Sequence, residues 1–94
     1  MLSSKPMRAA VEISMYPLVE GYRTMIRAFI ERLRGDPELV VRSNTLSTQL
    51  WGDLDHLMQV LSREMRTSAE AGAQLVFVLK VLPGIAPPSA AMPP

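Results

Sequence analysis

Arg8 to Tyr16 alternates: Ala9, Val11, Ile13 and Met15 fall on one side of an extended chain, Ala10, Glu12, Ser14 and Tyr16 on the other. A period of two predicts a strand with one face on a core, ended by Pro17. From Glu20 to Arg34 the period changes. Met25, Ile26, Phe29, Ile30 and Leu33 form a helical stripe, with Arg23, Arg27, Glu31 and Arg34 opposite. Gly35 is placed to cap this helix, and Asp36-Pro37 makes a turn. Glu38 to Ser43 predicts a second strand, Asn44-Thr45 a two-residue hairpin turn, and Leu46 to Trp51 a third strand. Asp53 or a neighbour suits the N-cap of a second helix with Leu54, Leu57, Met58, Leu61 and Met65 inward and Ala71-Gly72 at its close. Gln74 to Leu82 predicts the last strand. Its segment Leu75 to Leu79 is apolar on both faces, as in a strand buried on both sides.

The order β-α-β-β-α-β defines the expected class: α+β, a ferredoxin-like four-stranded antiparallel sheet with both helices on one face. The expected boundaries are a flexible leader over 1–6, one ligand-binding domain over 7–82 and a disordered tail over 83–94. That tail holds five of the chain's eight prolines, Pro83, Pro87, Pro88, Pro93 and Pro94.

No helix covers the second face of such a sheet. Ser47, Gln49 and Trp51 are expected there, with Leu46, Thr48 and Leu50 turned inward. The last strand adds an apolar set to the open face whichever way it turns. A face that carries valines, Tyr16 and Trp51 calls for a cover, and a second copy packed sheet to sheet supplies one. On the same face Glu12, Ser14, Ser47 and Gln49 lie on two neighbouring central strands. Buried by a partner, they must bond each other, water or a ligand. A carboxylate and an amide beside an aromatic ring are what a flat heterocycle requires. Ordinary dimer packing with a few internal polar bonds explains the same pattern without a ligand.

Composition narrows the chemistry. Ten Lys+Arg against nine Asp+Glu leave a formal charge of +1, no field for a nucleic-acid backbone or an anionic membrane. There are no cysteines, and one histidine excludes multi-histidine metal sites in a single chain. No metal or cofactor is expected. His56, beside Asp53 and Asp55, is read as a solvated histidine. The methionines are read as core filler, and Arg23, Arg27 and Arg34 as a solvated helix face. The first residues lack the apolar run of a signal peptide, so a cytoplasmic protein is the expectation.

Three segments carry a resemblance: Val11-Glu-Ile-Ser-Met-Tyr-Pro-Leu18, Leu46-Ser-Thr-Gln-Leu-Trp-Gly-Asp53 and Val76-Phe-Val-Leu-Lys-Val81. In this order and spacing they resemble the YkoF-type thiamine/hydroxymethylpyrimidine-binding family, over about residues 8–82. The resemblance implies a ferredoxin-like fold, pairing of domains through their sheets and binding of thiamine through its pyrimidine part. Tyr16, Asn44, Ser47, Thr48 and Gln49 match its pattern, whereas Thr45 stands where related sequences often carry glycine. Some members hold two copies of the domain in tandem. This chain holds one, so two chains would supply the pair.

The expected ligand-binding set is therefore Glu12, Ser14, Tyr16, Asn44, Ser47, Thr48 and Gln49, with no catalytic residue. Thr48 and Gln49 are adjacent and point to opposite faces of a regular strand, so the set includes at least one structural member. The expected partners are a small ligand, thiamine or a related pyrimidine, and further copies of the chain in a dimer or tetramer, with neither nucleic acid nor membrane. The alternative is a small dimeric enzyme of the cofactorless monooxygenase or isomerase type. Glu12 is its attractive base, but no nucleophile–base pairing accompanies it. RNA-binding domains share the topology, but Glu12 and the near-zero net charge oppose that use.

Overall fold

A computed structural model describes residues 5–18, 20–44, 46–72 and 74–87 of the chain. The elements are β1 (Arg8–Pro17), α1 (Tyr22–Arg34), β2 (Val40–Ser43), β3 (Thr48–Asp53), α2 (Leu54–Glu70) and β4 (Leu75–Pro83). They form one antiparallel sheet in the order β2-β3-β1-β4, the ferredoxin-like α+β arrangement. Among the described residues no helix is long and apolar enough to cross a membrane.

The alternation in β1 sets the layers. Ala9, Val11 and Ile13 are buried beneath the helices with Leu50 of β3. Phe29 and Leu33 of α1 and Leu57, Val60 and Leu61 of α2 close on them. Phe77 of β4 joins at the margin, its ring centroid 5.4 Å from that of Phe29. Each helix thus buries the apolar stripe its sequence carries.

Several details depart from the pattern. α1 starts after Gly21, two residues later than Glu20. Gly35 caps it with a helical φ of −71° rather than a left-handed one, its N–H shared between the Glu31 and Arg32 carbonyls. β2 begins at Val40, because Asp36 to Leu39 fold into a turn in which Asp36 Oδ1 accepts the Glu38 N–H at 2.9 Å. On α2, Met58 is 42% exposed and Val60 is buried in its stead. Glu64 and Ser68 are buried too, held by Arg32: its Nε pairs with Glu64 and its Nη2 donates to Ser68 Oγ at 3.0 Å. A guanidinium satisfying two buried acceptors lets polar groups enter a face that the hydropathy pattern leaves apolar.

β4 is an edge strand rather than one buried on both sides. Phe77 and Leu79 are half-buried against the helix layer, while Val76 and Val78 are about half exposed. The strand includes Pro83, one residue past the expected domain boundary, and the Gly84 and Ile85 N–H groups both donate to the Arg8 carbonyl. Residues 1–4 of the expected leader and 88–94 of the expected tail lie outside the described residues.

Candidate functional site

The register assigns each side chain to a face. Glu12 pairs with Gln49 on one side and Lys80 on the other, Ser14 with Val78, Tyr16 with Val76 and Ala10 with Trp51. These residues share the helix-free face, as the period-2 reading anticipates. Thr48 pairs with Ser43 and turns to the helix side, where its hydroxyl lies 3.3 Å from Ser43 Oγ. It is 6% exposed.

The connection between β2 and β3 differs from the two-residue turn. It spans residues 44–47 and is closed by the Asn44 N–H donating to the Ser47 carbonyl at 3.0 Å. Asn44 Oδ1 accepts the N–H groups of Leu46 (2.8 Å) and Ser47 (3.0 Å). The amide oxygen of Asn44 thereby shapes the loop from within. Leu46, expected inward, is 86% exposed because it belongs to this loop and not to β3. Thr45 lies outside the described residues. Asn44→Ala removes an acceptor shared by two N–H groups and is expected to cost about 1 kcal/mol. Urea denaturation would register this as a lower midpoint with an unchanged slope.

The loop also opens a gap in the sheet. β3 pairs with β1 only as far as Ile13↔Thr48. Past that point Ser14, Met15 and Tyr16 continue beside β4, with no β3 residue on their other side. The space is a cleft of about 210 Å³. It is lined by Ser14, Tyr16, Asn44, Ser47 and Thr48 and by Ile26, Phe29 and Ile30 of α1. Five of the seven expected binding residues therefore converge on one hollow. The other two, Glu12 and Gln49, line a shallower hollow of about 320 Å³ on the open face, with Trp51, Lys80 and Leu82. A hydrogen bond joins the two hollows: Ser47 Oγ donates to Glu12 Oε2 at 3.1 Å. Glu12 Oε1 stands 3.7 Å from Lys80 Nζ. Ser14 Oγ donates weakly to the Leu46 carbonyl at 3.4 Å, tying β1 to the loop across the gap.

Polar and apolar side chains thus share one small cleft, with Tyr16 among the residues that line it. It is smaller than the roughly 300–1,000 Å³ of sites for drug-sized ligands.

The sequence reading missed the surroundings of His56. Its backbone N–H is capped by Asp53, as expected, at 3.1 Å. Its ring is not freely solvated: Nε2 lies 2.8 Å from Asp36 Oδ2 and 3.3 Å from Glu38 Oε2. The two carboxylates come from the α1–β2 turn, about twenty residues away in sequence, and no local pattern signals that meeting. Arg23 and Arg34 are exposed, Arg34 beside Glu31 at 3.2 Å.

The sheet order and the two-helix layer define a small ferredoxin-like domain with a cleft beside its β2–β3 loop. No family model matches the chain, and no curated protein does. Solved structures do. A Streptococcus pneumoniae protein, SP2199, superposes with a TM-score of 0.72 at 23% identity, over 80% of this chain and 84% of its own. A "putative thiamine biosynthesis/salvage protein" of Thermotoga maritima gives 0.72 at 19% identity, over 80% and 82%. A domain of unknown function, DUF77, from Bacillus cereus gives 0.70 at 20% identity, over 81% and 75%. These likenesses establish the fold.

Proposed function

We propose that the protein binds thiamine, or the hydroxymethylpyrimidine part of it, without catalysis, and that two chains pair through their open sheet faces. It would act in the cytoplasm as a carrier, sensor or accessory of thiamine uptake or salvage. The observation that carries the reading is the cleft beside the β2–β3 loop, where Ser14, Tyr16, Asn44, Ser47 and Thr48 line one hollow with apolar side chains of α1. An aminopyrimidine offers ring nitrogens to hydroxyl donors, an exocyclic amine to an acceptor and a flat face to an aromatic ring. The cleft has room for that ring, and the thiazolium of thiamine would lie outside it. The resemblance of the three strand motifs to the YkoF-type family, and the printed name of the Thermotoga neighbour, point to the same ligand class.

Exposure supports the pairing. Tyr16, Val40, Val76, Val78 and Leu82 are between 40% and 55% exposed, and they share the helix-free face with Trp51. Apolar surface of that extent, on a sheet with one bare side, suits a sheet-to-sheet contact. The pair would also close the shallow hollow that holds Glu12 and Gln49.

Titration calorimetry with thiamine and with the free pyrimidine tests the reading. Both are expected to bind with similar affinity, because the pyrimidine makes the contacts. Ser47→Ala and Tyr16→Ala are each expected to weaken binding about tenfold, the worth of one hydrogen bond or one stacked ring. No heat and no thermal shift at millimolar ligand would overturn it.

A further inference from the structure

The α1–β2 turn and the first turn of α2 bring together three metal-ligating side chains that the pyrimidine cleft does not use. The donor atoms of Asp36, Glu38 and His56 all lie within 4.8 Å of one another. His56 Nε2 is 2.8 Å from Asp36 Oδ2 and 3.3 Å from Glu38 Oε2. An ion bound at about 2.0–2.2 Å by nitrogen and oxygen holds neighbouring donors about 3.0–3.4 Å apart. The 2.8 Å spacing lies just below that range and the 3.3 Å spacing within it, so a cation could be seated by small side-chain adjustments.

We propose that Asp36, Glu38 and His56 form a three-ligand site for a divalent transition-metal cation of the Zn²⁺ class. Two carboxylates and one imidazole are a hard-to-borderline donor set that suits such an ion and leaves coordination positions for water. All three donors line a hollow of about 540 Å³ together with Arg32, Pro37, Arg63 and Glu64, and Glu38 and His56 also line a neighbouring one with Pro6, Arg8 and Asp53. The donors are partly preorganised. Asp36 is held in its turn through Oδ1, which leaves Oδ2 for the ion, and its side chain is only 11% exposed. His56 is placed by the Asp53 cap at the start of α2. Glu38, on the surface, has the freedom to close on the ion.

Burial alone would raise the Asp36 carboxyl. The Glu38 N–H, the hydrogen bond and charge of His56, and the charge of Arg63 more than offset this, and it titrates below the ordinary aspartate range. Arg63 opposes a cation, but its Nε is engaged 3.1 Å from Glu64 Oε2. The competitor for the site is a proton: imidazolium can bridge the same two carboxylates, and the metal must displace it. A bound ion would staple the α1–β2 turn to α2.

The test exploits the chain's single histidine. Untagged protein, stripped with chelator, is titrated with Zn²⁺ while the one imidazole is followed by long-range ¹H–¹⁵N spectra. Co²⁺ is added in parallel for its visible d–d bands. The expected result is a saturable shift of the His56 Nε2 resonance, Co²⁺ bands of nitrogen–oxygen ligation, and binding at least tenfold weaker in both Glu38→Gln and Asp36→Asn. Glu38→Gln is the decisive variant, because the exposed Glu38 side chain can change without unfolding the chain, and circular dichroism checks that it has. No response of the histidine at millimolar Zn²⁺ overturns the proposal, as does binding that a folded Glu38→Gln variant leaves unchanged.

Discussion

Val78→Glu is expected to convert the proposed dimer into a folded monomer, with its dissociation constant raised about a hundredfold or more. Val78 sits on the helix-free face opposite Ser14, 49% exposed, two register positions from Tyr16↔Val76 and two from Glu12↔Lys80, the next pairs on that face. Its side chain points away from the helix-covered core, so a carboxylate there remains hydrated in the single chain. In a sheet-to-sheet pair the same carboxylate would lose its water beside apolar side chains and the existing Glu12. Burial of an unpaired charge costs several kcal/mol. Two-fold symmetry places the change twice in each interface. A hundredfold loss corresponds to about 2.8 kcal/mol, well within that cost. Sedimentation equilibrium of the wild type and Val78→Glu, with Val78→Ala as control, checks it. A wild type that is already monomeric at micromolar concentration removes the pairing. A Val78→Glu variant that stays dimeric moves the interface off this face.

The faces of the sheet were readable from residue type because a strand has only two sides. Ala9, Val11 and Ile13 could not lie on the solvent side without stranding three apolar groups there, and the structure buries all three. The same logic separates Thr48 from Gln49. Inference stopped where a side chain's role depends on the path of the backbone. Leu46 looks like a strand residue by period, yet the amide oxygen of Asn44 gathers the N–H groups of Leu46 and Ser47 and draws these two residues out of the strand. That one shift produces the gap beside β1, and with it the cleft. The polar residues that line the cleft were legible individually; their convergence on a hollow at the loop end was not. Glu64 and His56 show the other limit. Each is a polar residue whose partners come from another element, Arg32 in one case and Asp36 with Glu38 in the other. Periodicity registers neither, because it carries no information on which charges meet across a fold.

The Gly-Asp pair that ends β3 illustrates how a motif can be a packing requirement, and the second large effect is expected there. Gly52 lies opposite Ala9 on the helix side of the sheet and is fully enclosed. A Cβ built on it would sit 2.7 Å from Leu39 Cδ2, 3.3 Å from the Glu38 carbonyl oxygen and 3.7 Å from Leu57 Cγ. The requirement is one of space, since Gly52 is not among the positive-φ glycines. Leu39 can give way by a rotamer change. The Glu38 carbonyl belongs to the tight turn pinned by Asp36 and gives much less. Gly52→Ala is therefore expected to destabilise by about 1–3 kcal/mol, the usual cost of overpacking. In a domain of this size that lowers Tm by about 4–8 °C for each kcal/mol. The nearest obstacle is the end of one side chain, which yields a sharper check. Leu39→Val withdraws that methyl, so Gly52→Ala should cost less in a Leu39→Val background than in the wild type, a coupling of about 0.5–1 kcal/mol between touching residues. Strict additivity of the two changes in denaturant titrations would assign the effect to the Glu38 carbonyl instead. An unchanged Tm for Gly52→Ala would show that the β2 approach is loose enough to retreat from β3.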